Sequence, residues 1–211
     1  MAFFVIGLIN RCMSDLFKDI GGEFRATDID PRSESSRTWF LNKVKGLGDA
    51  NVGRDRMLRR PPLEQVPTAL PGKMYMFWYN AKHHETLPYY DKFPLIILMD
   101  TAPGGMVGLN LHYLPISLRQ TFFYGLLNRV NNTKYDDSTY LKVTYDYLKA
   151  TRSAKAFRPC FKRYLTSHIR GQIVNVPASE WELAIHLPTS LFQNETEQVV
   201  HQRSKEMIGK Y

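Results

Sequence analysis

Cysteine is nearly absent from this chain. Cys12 and Cys160 are the only two in 211 residues, and they sit in unrelated contexts with no neighbouring cysteine. A disulfide framework and a zinc site both lose support, and a reducing compartment fits, although two cysteines can still pair. Long apolar runs are missing too. Met1 to Ile9 is apolar but too short to span a bilayer. No basic residue precedes it, and no small-residue cleavage site follows before Arg11, Asp15 and Lys18, so it does not read as a signal peptide.

Catalytic signatures are also lacking. There is no G-x-S-x-G, no Walker lysine motif and no paired-carboxylate pattern, and Gly104, Gly105 and Gly108 lack the order and the helix of a nucleotide loop. Acidic residues are the scarcer charge: 28 Lys and Arg face 20 Asp and Glu, giving +8 and a pI near 9.4. That balance favours a polyanionic partner, nucleic acid or an acidic protein surface.

What is present is a chain long enough for one sizeable core with arms. Residues 1–22 read as an amphipathic helix continuing through Leu16, Phe17 and Ile20 and stopped by Gly21-Gly22. Its apolar face, with Phe3, Phe4 and Leu8, suits the core or a neighbouring subunit. Residues 23–71 form a second region. A polar tether interrupted by Pro31 leads to a short helix capped by Ser35 or Ser36, on which Trp39, Phe40, Val44 and Leu47 share a side. Trp39 and Phe40 are further candidates for subunit contact. From Asp49 to Leu70 the chain is rich in Arg and Pro and suits an extended arm lying on something else.

Residues 72–211 read as the α+β core domain. Met74 to Tyr79, Leu95 to Met99 and Met106 to His112 are aromatic or apolar runs joined by Pro- and Gly-marked turns, which predicts a small antiparallel meander or barrel over about 72–114. Helices are expected after it. One runs from Pro115 to Asn131, a second from about Asp136 to Ala150, and a third from Pro159 to Gly171, so that basic helices occupy 116–171. Gln172 to Val176 returns to strand, a short helix begins near Pro177, and residues 194–208 read as a polar helix capped by Asn194 or Thr196.

Candidate chemical groups mostly have plainer readings. His83-His84-Glu85 looks metal-like, yet adjacent strand residues point to opposite faces and no second histidine lies at ligand spacing. His112 at a strand end and Tyr89-Tyr90-Asp91 in a Pro-bounded turn read as structural. His168 and Cys160 lie about two helical turns apart on the expected helix, too far for proton exchange. The basic tracts carry more information. Between 142 and 170, Lys142, Lys149, Arg152, Lys155, Arg158, Lys162, Arg163 and Arg170 face only Asp146, with Tyr145, Tyr147, Phe157, Phe161 and Tyr164 interleaved. Between 37 and 60, Arg37, Lys43, Lys45, Arg54, Arg56, Arg59 and Arg60 face Asp49 and Asp55. Such concentration suits phosphate contact, with a solvated face meeting acidic subunits as the alternative.

The strings GKMYMFWYNAKHHETLPYYDKFPLIIL, GGMVGLNLHYLP, FRPCFKRYLTSHIRG and VPASEWELAIHLPTSLFQ are distinctive. Across roughly residues 35–208 the chain resembles a family of small virion proteins of T-even-like contractile-tailed phages, similar to DNA end protectors. Baseplate or neck connectors are the close competitor. The resemblance implies a non-enzymatic virion component without cofactor or metal, assembled in the host cytoplasm and away from membranes. Its partners would be portal, neck, tail or baseplate proteins and, in the end-protector version, the end of duplex DNA. The residues expected to meet DNA or an acidic partner are Arg54, Arg56, Arg59, Arg60, Lys149, Arg152, Lys155, Arg158, Lys162, Arg163 and Arg170.

Overall fold

The computed structural model describes residues 16–47, 53–59, 62–130, 146 and 155–209. Helix α1, Leu16–Arg25, buries Leu16, Phe17, Ile20, Gly21 and Phe24, a stripe at spacings of three and four. It runs through Gly21-Gly22 rather than stopping there. A Cβ on Gly21 would lie 3.3 Å from both Arg25 and Glu180, so the small residue lets the Arg25–Glu180 ion pair close to 3.0 Å. Tertiary packing thus outweighs the poor helix propensity of glycine. Helix α2, Glu34–Val44, is capped by Ser33, whose hydroxyl accepts from the Ser36 N–H at 3.0 Å. The cap therefore falls two or three residues earlier than expected, but Phe40 and Val44 do face inward.

The described parts of the Arg- and Pro-rich segment lie on the chain's own core. Short helix α3, Arg54–Met57, and the residues after it bury Met57, Leu58 and Leu63. Strand β1, Glu64–Gln65, then pairs with Asn175 and Val174.

The expected meander is present as β2, Met74–Tyr79, β4, Leu95–Ala102, and β5, Gly105–Asn110. Between its first two strands, β3, Tyr90–Asp91, branches off to pair with β8, Phe192–Gln193. The helix expected over 159–171 is not there. A 3-10 turn, Lys155–Cys160, leads into β6, Phe161–Leu165, a second 3-10 turn, Thr166–His168, and β7, Ile169–Val176. Long-range pairing explains the difference: β6 ladders onto β5 and β7 onto β2, and such packing overrides a sequence that also satisfies helical spacing. Gly171, at φ +75°, sits in a bulge of β7 rather than at a helix C-terminus.

The result is a six-stranded antiparallel sheet, ordered β1-β7-β2-β4-β5-β6 and not closed into a barrel. It is strongly coiled. Leu165 lies beside Gly105 at one end and Ile169 beside Tyr79 at the other, yet only three residues separate β6 from β7. The coil brings Tyr164 of one edge strand to Phe77 and Tyr79 of β2, with ring centroids 5.3 and 4.9 Å apart. These rings, with Tyr75, Tyr90, Ile96, Leu98 and Met106, fill the concave face. The other face carries Met74, Met76, Leu95, Ile97 and Leu109 beneath the helices. Helix α4, Ile116–Val130, comes first. Then follow α5, Trp181–His186, which is buried on every side, and α6, Glu197–Gly209, entered through Thr196.

Candidate nucleic-acid interface

Two polar centres organise the helical side. In the first, buried Asp91 accepts from the backbone N–H groups of Phe93 and Leu191 at 2.9 and 3.2 Å, from the Asn110 amide at 3.0 Å and from His112 Nδ1 at 2.6 Å. Burial alone would raise this carboxyl, but the His112 ring and the other donors outweigh it and hold it below the usual range. An ionised Asp91 requires the ring proton on Nδ1, so Nε2 accepts from the Thr189 hydroxyl at 2.9 Å. Burial in turn pushes His112 below its ordinary value, which keeps the ring neutral. An Asp–His–Thr line of this kind resembles a nucleophile relay. His112 and Thr189 are wholly shielded from solvent, however, and the line joins β3, the end of β5 and the segment before β8 instead. Buried Arg119 extends it, donating to Leu114 O, His112 O and Glu197 at 2.7, 3.3 and 3.0 Å.

Glu182 of α5 forms the second centre. It accepts from Ser36, from Tyr124 and from the Arg32 N–H, the last at 2.9 Å, and so ties α2 and α4 to α5.

At the surface, a line of contacts runs along one rim of the coiled sheet. It begins at the β4–β5 turn, where Arg163 donates to Pro103 O at 3.3 Å and Thr166 N to Gly104 O at 3.1 Å. Next, His168 Nδ1 donates to Asn80 O at 2.9 Å. Lys82 follows Asn80 and is exposed, and Arg170 stands opposite Trp78 in the register. Trp78 donates from its indole to Asp55 of α3 at 2.8 Å. Arg56 and Arg59 are carried by α3 and the turn after it. Asp55 of the first basic tract and Arg170 of the second, more than a hundred residues apart in the sequence, therefore both lie beside Trp78.

The family model of the phage T4 terminal DNA protecting protein matches residues 12–207. The chain belongs to that family. The match bears out the resemblance read from the four strings and extends it into the N-terminal segment. No curated protein and no solved structure matches the chain.

In this family member the residues expected to touch DNA or an acidic partner divide into three sets. Arg59, Arg158, Arg163 and Arg170 are exposed, and Arg56 is half-buried. Arg54 and Lys162 turn toward the protein. Arg54 donates to the carbonyls of Thr189 and Ser190 at 2.9 and 2.7 Å. Lys162 places its ammonium 4.0 Å from the Tyr113 ring centre, and burial pushes it below the usual lysine value. Arg60, Lys149 and Arg152 lie outside the described residues, as do Phe3, Phe4, Leu8 and most of the second expected basic helix; Lys155 heads its 3-10 turn. Of the residues expected at a subunit contact, Phe40 is 3% exposed and packs against Phe24 and His186, so it serves the chain's own core. Trp39 packs beside it and is half-buried.

The exposed His83-His84-Glu85 turn gathers no metal-binding cluster among the described residues. No helix among them is long and apolar enough to cross a membrane. Sequence reasoning missed the Asp55–Trp78 bond. An aspartate set between Arg54 and Arg56 was the available signal.

Proposed function

We propose that this protein shields a duplex DNA terminus by gripping its phosphates along the basic rim, without reading base sequence. Arg59, Arg163 and Arg170 are the principal contacts, and Arg56 and Arg158 flank them. The observation that carries the reading is the Trp78–Asp55 bond, which sets the first basic tract beside Trp78, across the ladder from Arg170 of the second, in a member of a terminal DNA protecting family. Arginine suits this task because its planar fork stays charged and pairs with phosphate oxygens. The protein acts as a virion component rather than an enzyme. It is assembled in the host cytoplasm and held against neighbouring portal, neck, tail or baseplate subunits, with its N-terminal segment, including Phe3, Phe4 and Leu8, as an attachment.

Titration of the full chain with linear duplexes of unrelated sequence tests this. Affinity should be indifferent to sequence and should fall log-linearly with salt, losing about 0.9 in slope for each phosphate contact removed. Absence of binding at low salt, together with binding to an acidic virion subunit, would return the rim to a neck or baseplate connector.

A further inference from the structure

Phosphates repeat unchanged along a duplex, so a basic rim cannot by itself tell a terminus from the interior. A terminus differs in offering the open face of its last base pair, and an aromatic plane is the group that recognises such a face. Trp78 is placed to do so. Every other residue of β2 is buried, whereas this one, the largest, is only half-buried. An apolar strand that leaves part of its tryptophan in solvent forgoes part of its largest hydrophobic gain at that position.

The indole is also held rigidly. Its N–H is satisfied by Asp55 at 2.8 Å, and Phe93 meets it edge-on from the core at 4.9 Å. The β2–β7 register shifts between Met76 and Trp78, and the extra residues of β7 include Gly171, where φ is +75° and, among the described residues, no atom lies within 4 Å of an added Cβ. Arg170 stands directly across the ladder, so a nucleotide stacked on Trp78 would have a cation within reach of its phosphate.

We infer that Trp78 is the end-recognising residue: its indole stacks on the terminal base pair of duplex DNA while Arg170 and Arg59 hold the flanking phosphates. This rests on the phosphate-gripping reading above. Base–aromatic stacking of the usual strength gives an end a preference of roughly 5- to 150-fold over continuous duplex.

The test compares the full chain on a relaxed closed-circular DNA and on the same DNA cut into short linear fragments. It adds a duplex carrying 2-aminopurine at either its terminal or a central position. The linear form should be preferred, and only the terminal probe should change in fluorescence. In Trp78→Leu the linear-to-circular ratio should fall to about one and the terminal response should vanish, while Trp78→Phe, which keeps a ring, should recover part of both. Unfolding curves for both variants exclude loss of the fold. Equal affinity of the natural protein for circle and fragments would overturn the role of Trp78 and leave the phosphate reading standing, as would an unchanged ratio in a folded Trp78→Leu. Failure to bind either DNA would overturn both.

Discussion

Asp91 and His112, 21 residues apart, share a hydrogen bond of 2.6 Å inside a core that solvent does not reach. The pair does for the fold what a disulfide would do for a secreted protein, tying the β3–β8 ribbon to the end of the main sheet. Asp91→Ala would strand the His112 Nδ1–H, the Asn110 amide and two backbone N–H groups. Loss of about 3 kcal/mol or more is expected, measured by urea unfolding; a cost below about 1 kcal/mol would contradict the assignment.

Acid should weaken the protein in a defined window. Burial lowers the pKa of His112, His186 and His201 in the folded chain. The unfolded chain then takes up protons first, so their contribution is full above about pH 6.5 and is lost as pH falls toward each folded value. Asp91 is depressed too, and its contribution disappears only at lower pH, from about 3.9 downward. Groups facing His112 are Asp91, Thr189, Arg119, Glu197 and His201, and the last donates to the His112 carbonyl at 2.9 Å. Thermal unfolding should therefore show a Tm steady above neutrality and declining below it, with a shallower decline in His201→Gln. A flat profile from pH 7.5 to 5.5 would refute this.

Two glycine-to-alanine changes should act in opposite directions. On Gly105 a Cβ would lie 2.4 Å from the Tyr164 carbonyl oxygen, forcing β5 and β6 apart. Gly105→Ala should cost about 1–3 kcal/mol, as overpacking does. Gly22 is exposed within α1, with nothing among the described residues within 4 Å of an added Cβ, so Gly22→Ala should stabilise by about 0.5–1 kcal/mol. Denaturant midpoints decide both signs.

Cys160 should be silent in the folded state. It is wholly buried, and burial pushes its thiol up to about 12. In a Cys12→Ser variant, Ellman's reagent should titrate no thiol in native buffer and one after unfolding. A full reaction in native buffer would show that the site opens.

Arg163→Gln and Arg170→Gln should each reduce the salt slope of DNA binding by about 0.9. Arg54→Gln should instead lower stability and leave that slope in place, because its guanidinium is committed to the carbonyls of Thr189 and Ser190. Equal slopes for all three variants would mean that the rim is not the phosphate surface.

Sequence patterning made the β2–β4–β5 meander legible because its apolar runs are bounded by prolines and by Gly104-Gly105. The start of α4 after Pro115 and the Thr196 entry to α6 were legible for similar local reasons. The β6–β7 pair was not. Phe157, Phe161, Tyr164 and His168 repeat every three or four residues, which suits a helix, and the strand alternative depends on partners in β5 some 54 residues away. The basic tracts were visible as composition. That Arg54 and Lys162 turn inward, that Asp55 meets Trp78, and that Asp91 meets His112 are tertiary facts, because each needs a partner that no local spacing names.

The three residues between β6 and β7 also couple two distant strand pairings. β7 takes the place beside β2, among the first strands made, yet it is nearly the last to emerge, and its short tether lets β6 hold β5 and β7 hold β2 at the same time only in a coiled sheet. Pairing of β7 with β2 is therefore a long-range step of the kind that slows folding, and the β2 edge, with Trp78 on it, lacks its neighbouring strand until the chain is synthesised through residue 176.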